Sequence, residues 1–195
     1  MVVVDRKSPR GFGSPGPLYR REYERVVELT DGNSVLIRPM TPCDFEKIID
    51  LFKTFSVETL FFRYLNISTE FKKRELRRLL NSLNKGMLIL VAELLHGNKP
   101  LIGICELFIQ KENKHCAECA ITITDKWQGK HLGIQLLKWL IHIARKRDIE
   151  TIIGYFNTEN MKVLSILRRS GFKYTTTRDL NTIAFKLFLT ETDYR

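Results

Sequence analysis

Two spacings of apolar residues run along this chain, one typical of strands and one typical of helices. Short apolar runs bounded by turn residues predict strands, whereas Phe45, Ile48 and Phe52 recur at the spacing of one helix face. In order, the pattern predicts a strand, two or three helices, three strands joined by hairpins, a helix, a strand, a helix and a final hairpin. The predicted strands are 34–38, 87–94, 101–110, 116–124, 151–156, 172–177 and 182–189.

The helices are predicted from their caps as well as from their apolar stripes. Thr41 and Ser56 each stand where a helix N-cap is expected, and Gly171 stands where a glycine ends the last helix. A third helix is predicted over 70–83, and its basic residues, Arg77 and Arg78 among them, are interpreted as a solvated face, with a docking surface as the alternative.

The strand–helix–strand succession over 116–156 predicts two parallel neighbours beside the antiparallel hairpins. The fold class is therefore α/β with a mixed sheet of about six to seven strands flanked by helices. Residues 1–18 are rich in glycine, proline and serine and predict a mobile leader. Residues 19–195 form the domain, and 19–33 within it look charged and turn-like.

The net charge of +10 indicates an anionic partner, such as a polyphosphate cofactor, an acidic protein or a nucleic acid. No apolar run is long enough to cross a bilayer, and the first residues put charge and proline where a signal peptide needs an apolar core. We therefore predict a cytoplasmic protein without a membrane partner. Aromatic and basic residues do not alternate on strands, so nucleic acid is not the expected partner.

Four cysteines are present, and Cys116 and Cys119 form a C-x-x-C pair. Their two intervening residues lie in an apolar run that predicts a strand, whereas a zinc or redox pair needs a turn. There is no second C-x-x-C, and Cys105 and His115 are the nearest candidate ligands. We interpret these cysteines as core residues and predict no metal site.

The stretch from Cys116 to Ala144 carries the clearest candidate chemistry: an apolar strand, a short loop with two glycines and a long apolar helix. Backbone N–H groups at the start of such a helix can bind a phosphate without any side chain. The loop Gln128-Gly129-Lys130-His131-Leu132-Gly133 is thus predicted to be an anion cradle.

The same loop resembles the Q/R-x-x-G-x-G/A loop of the GNAT N-acetyltransferases, and further motifs resemble their Pat-type protein lysine acetyltransferase branch. These are Arg38-Pro39-x-x-Pro42-x-Asp44, Ser56-x-Glu58-Thr59-x-Phe61-x-Arg63-Tyr64, Ala117-Glu118, Asn160-Met161 and Gly171-Phe172. The resemblance spans residues 19–195 and implies the GNAT fold, with a sheet splayed between the fourth and fifth predicted strands.

The resemblance also implies acetyl-CoA as cofactor and a protein substrate presenting a lysine, which could be an acyl-CoA synthetase. It implies that backbone groups of the strand bind the pantetheine arm, the loop binds the pyrophosphate and the following helix adds one contact. The cofactor-binding residues are Ile121, Thr122, Ile123, Gln128, Gly129, Lys130, His131, Leu132, Gly133, Ile134 and Asn160. For Asn160 an ordinary helix-start role is the alternative.

A lysine amine is neutral in only about one molecule in a thousand at neutral pH, a handicap of ~4 kcal/mol that a general base must offset. Glu118 is the candidate base, because it lies on the strand that enters the cradle and matches the family's catalytic glutamate. A structural carboxylate is the alternative role, and Glu106 on the neighbouring strand is the second candidate base.

Two positions depart from the family pattern. His131 replaces the usual first glycine of the loop, and Leu167 stands where many relatives have the tyrosine that acts as general acid. Acceptors other than a protein lysine stay open, namely a small amine or a protein N-terminus. Other functions that stay open are a non-catalytic acyl-CoA sensor and, more distantly, a nucleic-acid-binding module. Oligomeric state is not predicted.

Overall fold

Eight strands form one mixed sheet in the computed structural model, which describes residues 20–64, 74–79, 81 and 87–192. The mobile leader predicted at 1–18 lies outside these residues. The strands are β1 (Arg25–Glu28), β2 (Ser34–Pro39), β3 (Leu88–Leu94), β4 (Leu101–Ile109), β5 (Cys116–Ile123), β6 (Thr151–Asn157), β7 (Phe172–Asp179) and β8 (Thr182–Thr192).

The strand order in the sheet is β1-β2-β3-β4-β5-β6-β8-β7, and every neighbouring pair is antiparallel except β5 and β6. This one parallel pair is also the shortest, since it runs only from Cys116 opposite Thr151 to Glu118 opposite Ile153. Beyond Glu118 the two strands separate. The predicted mixed sheet and its splay are therefore confirmed, with the split between the strands numbered β5 and β6 here.

Within the described residues, five helices pack on the sheet. They are α1 (Phe45–Thr54), α2 (Val57–Tyr64), α3 (residues 74–79), α4 (Leu132–Arg145) and α5 (Met161–Arg168). Helix α4 contributes most of its length to the larger hydrophobic core, on one face of the sheet. Helix α1 and residues of α2 and α3 form a smaller core on the other face. Part of the helix predicted over 70–83 falls outside the described residues.

The strand β1 was not predicted, because 19–33 was interpreted as turn-like. Only Val27 of its four residues is buried, so the sequence shows no alternation of apolar and polar positions there. The strand is held instead by pairing with β2 and by its neighbour Tyr23, whose carbonyl accepts a 2.9 Å hydrogen bond from Trp139 Nε1 on α4. It raises the strand count above the predicted six to seven.

The buried cysteines lie within strands, as predicted. Cys105, Cys116 and Cys119 are buried, and the odd spacing of the last two puts their side chains on opposite faces of β5. Within the part of the chain that the structure describes, no cluster of His, Cys, Asp and Glu could hold a metal ion. None of the described helices is both long and apolar enough to span a membrane.

Candidate functional site

The cleft between β5 and β6 exposes the backbone edge of β5. Thr124 N donates to Ile102 O and Cys116 O accepts from Gln110 N, so the even-numbered residues of β5 direct their backbone groups toward β4. The odd-numbered residues Ile121 and Ile123 therefore direct theirs toward the cleft, past the last pairing with β6. Of the three residues predicted to bind an extended cofactor arm, Thr122 faces β4 with its backbone.

The loop after β5 turns sharply into α4. A single 3-10 turn, Asp125–Trp127, is followed by Gly129 with φ +76° and His131 with φ +69°. Both residues are in the left-handed region, and the helix begins at Leu132. Among the described residues, no acceptor is hydrogen-bonded to the backbone N–H groups of residues 129–134. Successive unpartnered amides at the start of a long helix form an anion-binding site.

These amides fit the diphosphate of a coenzyme. Two carboxylates that contact this loop are already engaged, because Asp31 accepts from Lys130 Nζ at 2.7 Å and Asp125 accepts from Ser56. The hydrogen bond from Lys130 is the main cause of the low pKa of Asp31, about 2. Lys130 Nζ also lies 4.5 Å from the centre of the Trp127 ring, so Lys130 offers the cradle its backbone rather than its charge.

Gln128, at the start of the loop, uses its side chain to hold the loop in place. Its Nε2 donates to Ile123 O at 2.9 Å and to Thr59 Oγ1 at 3.1 Å, and its Oε1 accepts from Lys162 at 2.8 Å. Both N–H groups of the side-chain amide are used in these bonds. Sequence reasoning selected Gln128 for cofactor binding without detecting this structural role.

Gly133 and its neighbours form the first turn of α4. A Cβ atom at Gly133 would lie 2.8 Å from Ile166 Cδ1, so a glycine allows α5 to approach α4 closely. Leu132 is buried and Ile134 is half-buried, so both contribute backbone amides to the cradle and side chains to the packing beneath it.

The imidazole of His131 points toward α5. His131 Nε2 lies 3.0 Å from a terminal nitrogen of Arg169, which can only donate, so Nε2 is the acceptor and the ring proton is on Nδ1. The backbone at this position adopts the left-handed conformation that a glycine adopts at little cost. The histidine therefore keeps the shape of the glycine loop and carries the associated strain, about 1 kcal/mol.

We expect His131→Gly to raise the free energy of unfolding by up to about 1 kcal/mol, because glycine relieves the left-handed strain. Coenzyme A affinity should be unchanged or slightly tighter, since the backbone amides remain. Thermal unfolding and calorimetric titration with coenzyme A measure the two effects.

His131→Ala is the matched control for that substitution, because it removes the ring and keeps the strain. Markedly weaker binding in both variants would identify the imidazole itself as a ligand and contradict the expectation.

Glu118 stands at the point where the cleft opens. It is exposed, lies opposite Phe108 on β4 and Ile153 on β6, and is the last residue of β5 that pairs with both neighbours. Phe108 is itself 47% exposed, so an approaching amine can reach this carboxylate over an aromatic surface. The geometry is that of an accessible proton acceptor beside the cleft.

Glu106, the second candidate base, is only 3% exposed and its two oxygens are both paired. Arg63 on α2 donates to one oxygen at 2.8 Å, and Arg78 on α3 donates to the other. Both oxygens are therefore occupied by guanidinium groups and are not available to an incoming amine. Of the basic run predicted to be a solvated face, Arg74 and Arg77 are exposed, whereas Arg78 is half-buried and pairs with Glu75 and Glu106.

Asn160 and Leu167 lie on α5, across the cleft. Asn160 is the N-cap residue of α5 but makes no capping hydrogen bond with its side chain. Leu167 is 1% exposed within the larger core, so the usual position of a general acid is an apolar packing position here. One exposed residue beside the cleft was not selected from the sequence. Tyr155 on β6 is 59% exposed, lies two positions beyond Ile153 and shares the sheet face of Glu118.

Comparison with known sequences gives a family and several relatives. The model of the Acetyltransferase (GNAT) domain matches residues 34–173. An acetyltransferase of Pseudomonas aeruginosa is 30% identical over 149 residues, which are 75% of this chain and 79% of that protein. The protein named Acetyltransferase Pat of Mycolicibacterium smegmatis is 27% identical over 176 residues, or 88% of this chain; the match spans about half of that relative, 48% of its length.

Solved structures show the same fold. The GNAT domain of S. lividans PAT superposes with a TM-score of 0.70 at 20% identity, covering 86% of this chain and 98% of that one. The yncA protein of Salmonella typhimurium, solved with its cofactor acetyl-CoA, superposes with a TM-score of 0.64 at 20% identity, covering 80% of this chain and 94% of that one.

The match to the family model covers well over half of the sequence and includes β5, the cradle and α4. GNAT acetyltransferases use acetyl-CoA, so the predicted cofactor is confirmed at the level of the family. The splayed strands, the amide cradle and these matches together establish that this chain belongs to the GNAT acetyltransferase family.

Proposed function

We propose that this chain transfers the acetyl group of acetyl-CoA to the side-chain amine of a lysine in a protein. The observation that carries the proposal is the position of Glu118. Its exposed carboxylate is on the last residue of β5 that pairs with β6, at one end of the cleft, and the amide cradle lies at the other end. Likeness to a relative named Acetyltransferase Pat supports a protein as the substrate, as do the Pat-type motifs of the sequence. The cytoplasmic location predicted from the sequence stays part of this proposal.

The chain's own residues supply binding, orientation and one proton transfer. Acetyl-CoA, when bound, supplies the activated acetyl group as a thioester. The amides of residues 129–134 bind the diphosphate, and Ile121 and the N–H of Ile123 offer backbone groups to the extended arm, since the carbonyl of Ile123 already accepts from Gln128. Glu118 accepts a proton from the lysine ammonium, which leaves a neutral amine. With acetyl-CoA bound, that amine would form the new C–N bond as the C–S bond breaks, and its second proton would pass to the leaving sulfur or to water.

The leaving thiolate has no family-type general acid, because Leu167 is buried and apolar. A thiolate is stable enough near neutral pH to leave without a proton or to take one from water. Asn160, whose side chain makes no capping bond, is available for a contact with the coenzyme from α5.

Intact-mass spectrometry tests the proposed function. The protein is incubated with acetyl-CoA and a purified acyl-CoA synthetase, and peptide mapping then locates any added acetyl group. Acetylation on a lysine side chain is the expected result. Acetylation only on the N-terminal amine, or only on free small amines, would show that a protein lysine is not the acceptor.

A sensor without catalysis is distinguished by binding measurements on the same protein. Stabilisation by acetyl-CoA with no acetylated product from a lysate fraction would favour that alternative. Stabilisation by DNA in place of acetyl-CoA would favour the nucleic-acid-binding alternative.

A further inference from the structure

The start of α2 is hydrogen-bonded to the loop that forms the cradle. Asp125 accepts from Ser56 N at 3.0 Å, from Ser56 Oγ at 2.7 Å and from Thr59 Oγ1 at 3.0 Å. Ser56 Oγ in turn caps the helix by accepting from Thr59 N at 3.1 Å. The hydroxyl of Ser56, just before α2, and that of Thr59, in its first turn, therefore share one carboxylate that lies 66 residues or more away in the sequence.

Thr59 continues this connection into the cradle. A hydroxyl has one proton to give, and Asp125 takes it, so the lone pairs of Thr59 Oγ1 accept from Gln128 Nε2 at 3.1 Å. Gln128 N also donates to Asp125 O at 3.2 Å. Thr59 is only 8% exposed, so water competes little for these bonds.

The other end of α2 reaches the neighbourhood of the candidate base. Arg63 donates to Glu106 at 2.8 Å, and Glu106 pairs across the sheet with Ala120, two residues beyond Glu118. Helix α2 lies over β5 and β6. It thus spans the site from the loop that holds the diphosphate to the strand that carries Glu118.

We propose that the hydrogen-bonded chain Asp125–Thr59–Gln128 sets the position of α2 in response to coenzyme binding. A ligand that orders the amides of residues 129–134 also restricts Gln128, the residue at the start of the same loop. Gln128 and Asp125 then fix Thr59, so that α2 becomes ordered over the acceptor side of the cleft. Thr59 and Asp125 are positioning residues in this account, which rests on the proposed binding of coenzyme at the cradle.

Hydrogen exchange with coenzyme A as the probe tests this inference without any acceptor. In the wild-type protein we expect coenzyme A to slow amide exchange both in residues 129–134 and in α2, the latter about 5- to 10-fold. In Thr59→Val the slowing in residues 129–134 should persist, while the slowing in α2 should fall to less than about twofold, because valine neither donates nor accepts.

Two matched variants control for structural damage. Thr59→Ser keeps the hydroxyl and should restore the response of α2 to coenzyme A. Thr54→Val makes the same chemical change on α1, at a hydroxyl whose one hydrogen bond within the described residues goes to Leu51 O, and should leave the response intact. Asp125→Asn, a change of an exposed residue, should weaken the response as Thr59→Val does.

The outcomes separate this inference from the proposed function. Slowed exchange in α2 that persists in Thr59→Val, or a wild-type α2 that does not respond while residues 129–134 do, would overturn the inference and leave the cradle in place. Coenzyme A that slows exchange in neither region of the wild-type protein would overturn the proposed function, and this inference with it.

Discussion

Glu118→Gln lowers kcat about 100-fold and changes the Kd for coenzyme A by less than about twofold. Glutamine keeps the size and the carbonyl oxygen of the side chain but cannot accept a proton from an ammonium group. Because Glu118 lies at the opening of the cleft while the diphosphate amides lie beyond the end of β5, the substitution leaves the coenzyme contacts unchanged. Initial-rate kinetics at saturating acetyl-CoA measure the loss, and calorimetry measures the affinity.

Glu112→Gln is the control for that experiment. Glu112 is exposed in the turn between β4 and β5. Its substitution therefore removes one carboxylate from the surface near the same strand without touching the cleft. Its turnover should equal that of the wild-type protein. Unimpaired turnover in Glu118→Gln would remove Glu118 from the role of base, since nothing else in this variant could hide such a loss.

Local chemistry made much of the fold predictable. The strand–loop–helix stretch from Cys116 needs only one apolar run, two glycines and one apolar helix face, all within the sequence window that periodicity can detect. Helix α5 ends at its C-cap Arg169, and Gly171 at φ +79° follows two residues later, near the position where the sequence predicts a glycine to end the helix. These features depend on neighbours in the chain, so the sequence contains their full explanation.

Features that depend on distant partners were not predictable in the same way. β1 is a strand because β2 and α4 cover it, and its own residues show no alternation. Arg78 reads as one member of a basic run, yet it pairs with Glu106 on β4, 28 residues away. The left-handed backbone of His131 follows from the loop geometry, which the histidine side chain conceals from a pattern search. For β1 and Arg78, tertiary contacts outweigh the local preference.

Glu106 shows how burial changes the meaning of a carboxylate on the same sheet face as Glu118. Its two oxygens accept from guanidinium groups of different helices, Arg63 on α2 and Arg78 on α3, and Arg78 is also paired with Glu75. The side chains of Arg63 and Arg78 are 25% and 40% exposed. The ion pairs therefore join α2 and α3 to the centre of the sheet. The two glutamates share a strand pair and differ in role because one is accessible and the other is occupied.

Glu106→Gln should lower the free energy of unfolding by about 3 kcal/mol, which corresponds to a Tm lower by about 6–12 °C for a domain of this size. The substitution removes the buried carboxylate that pairs with both Arg63 and Arg78, while Arg78 keeps its ion pair with Glu75. That remaining pair and the partial exposure of both guanidinium groups keep the loss at the lower end of the range for a broken buried pair. Chemical denaturation of this variant and of Glu118→Gln measures the contrast, because the exposed Glu118 should change stability by less than about 0.5 kcal/mol.

A double-mutant cycle identifies the source of that loss. If the loss arises from the broken Arg78–Glu106 ion pair, Arg78→Met should cost less in the Glu106→Gln background than in the wild-type protein, by about 1 kcal/mol or more. Kinetics separate a structural role of Glu106 from a catalytic one. If the role is structural, Glu106→Gln should retain most of its kcat at temperatures where it is folded. A fully folded Glu106→Gln with kcat reduced about 100-fold would instead transfer the role of base from Glu118 to Glu106.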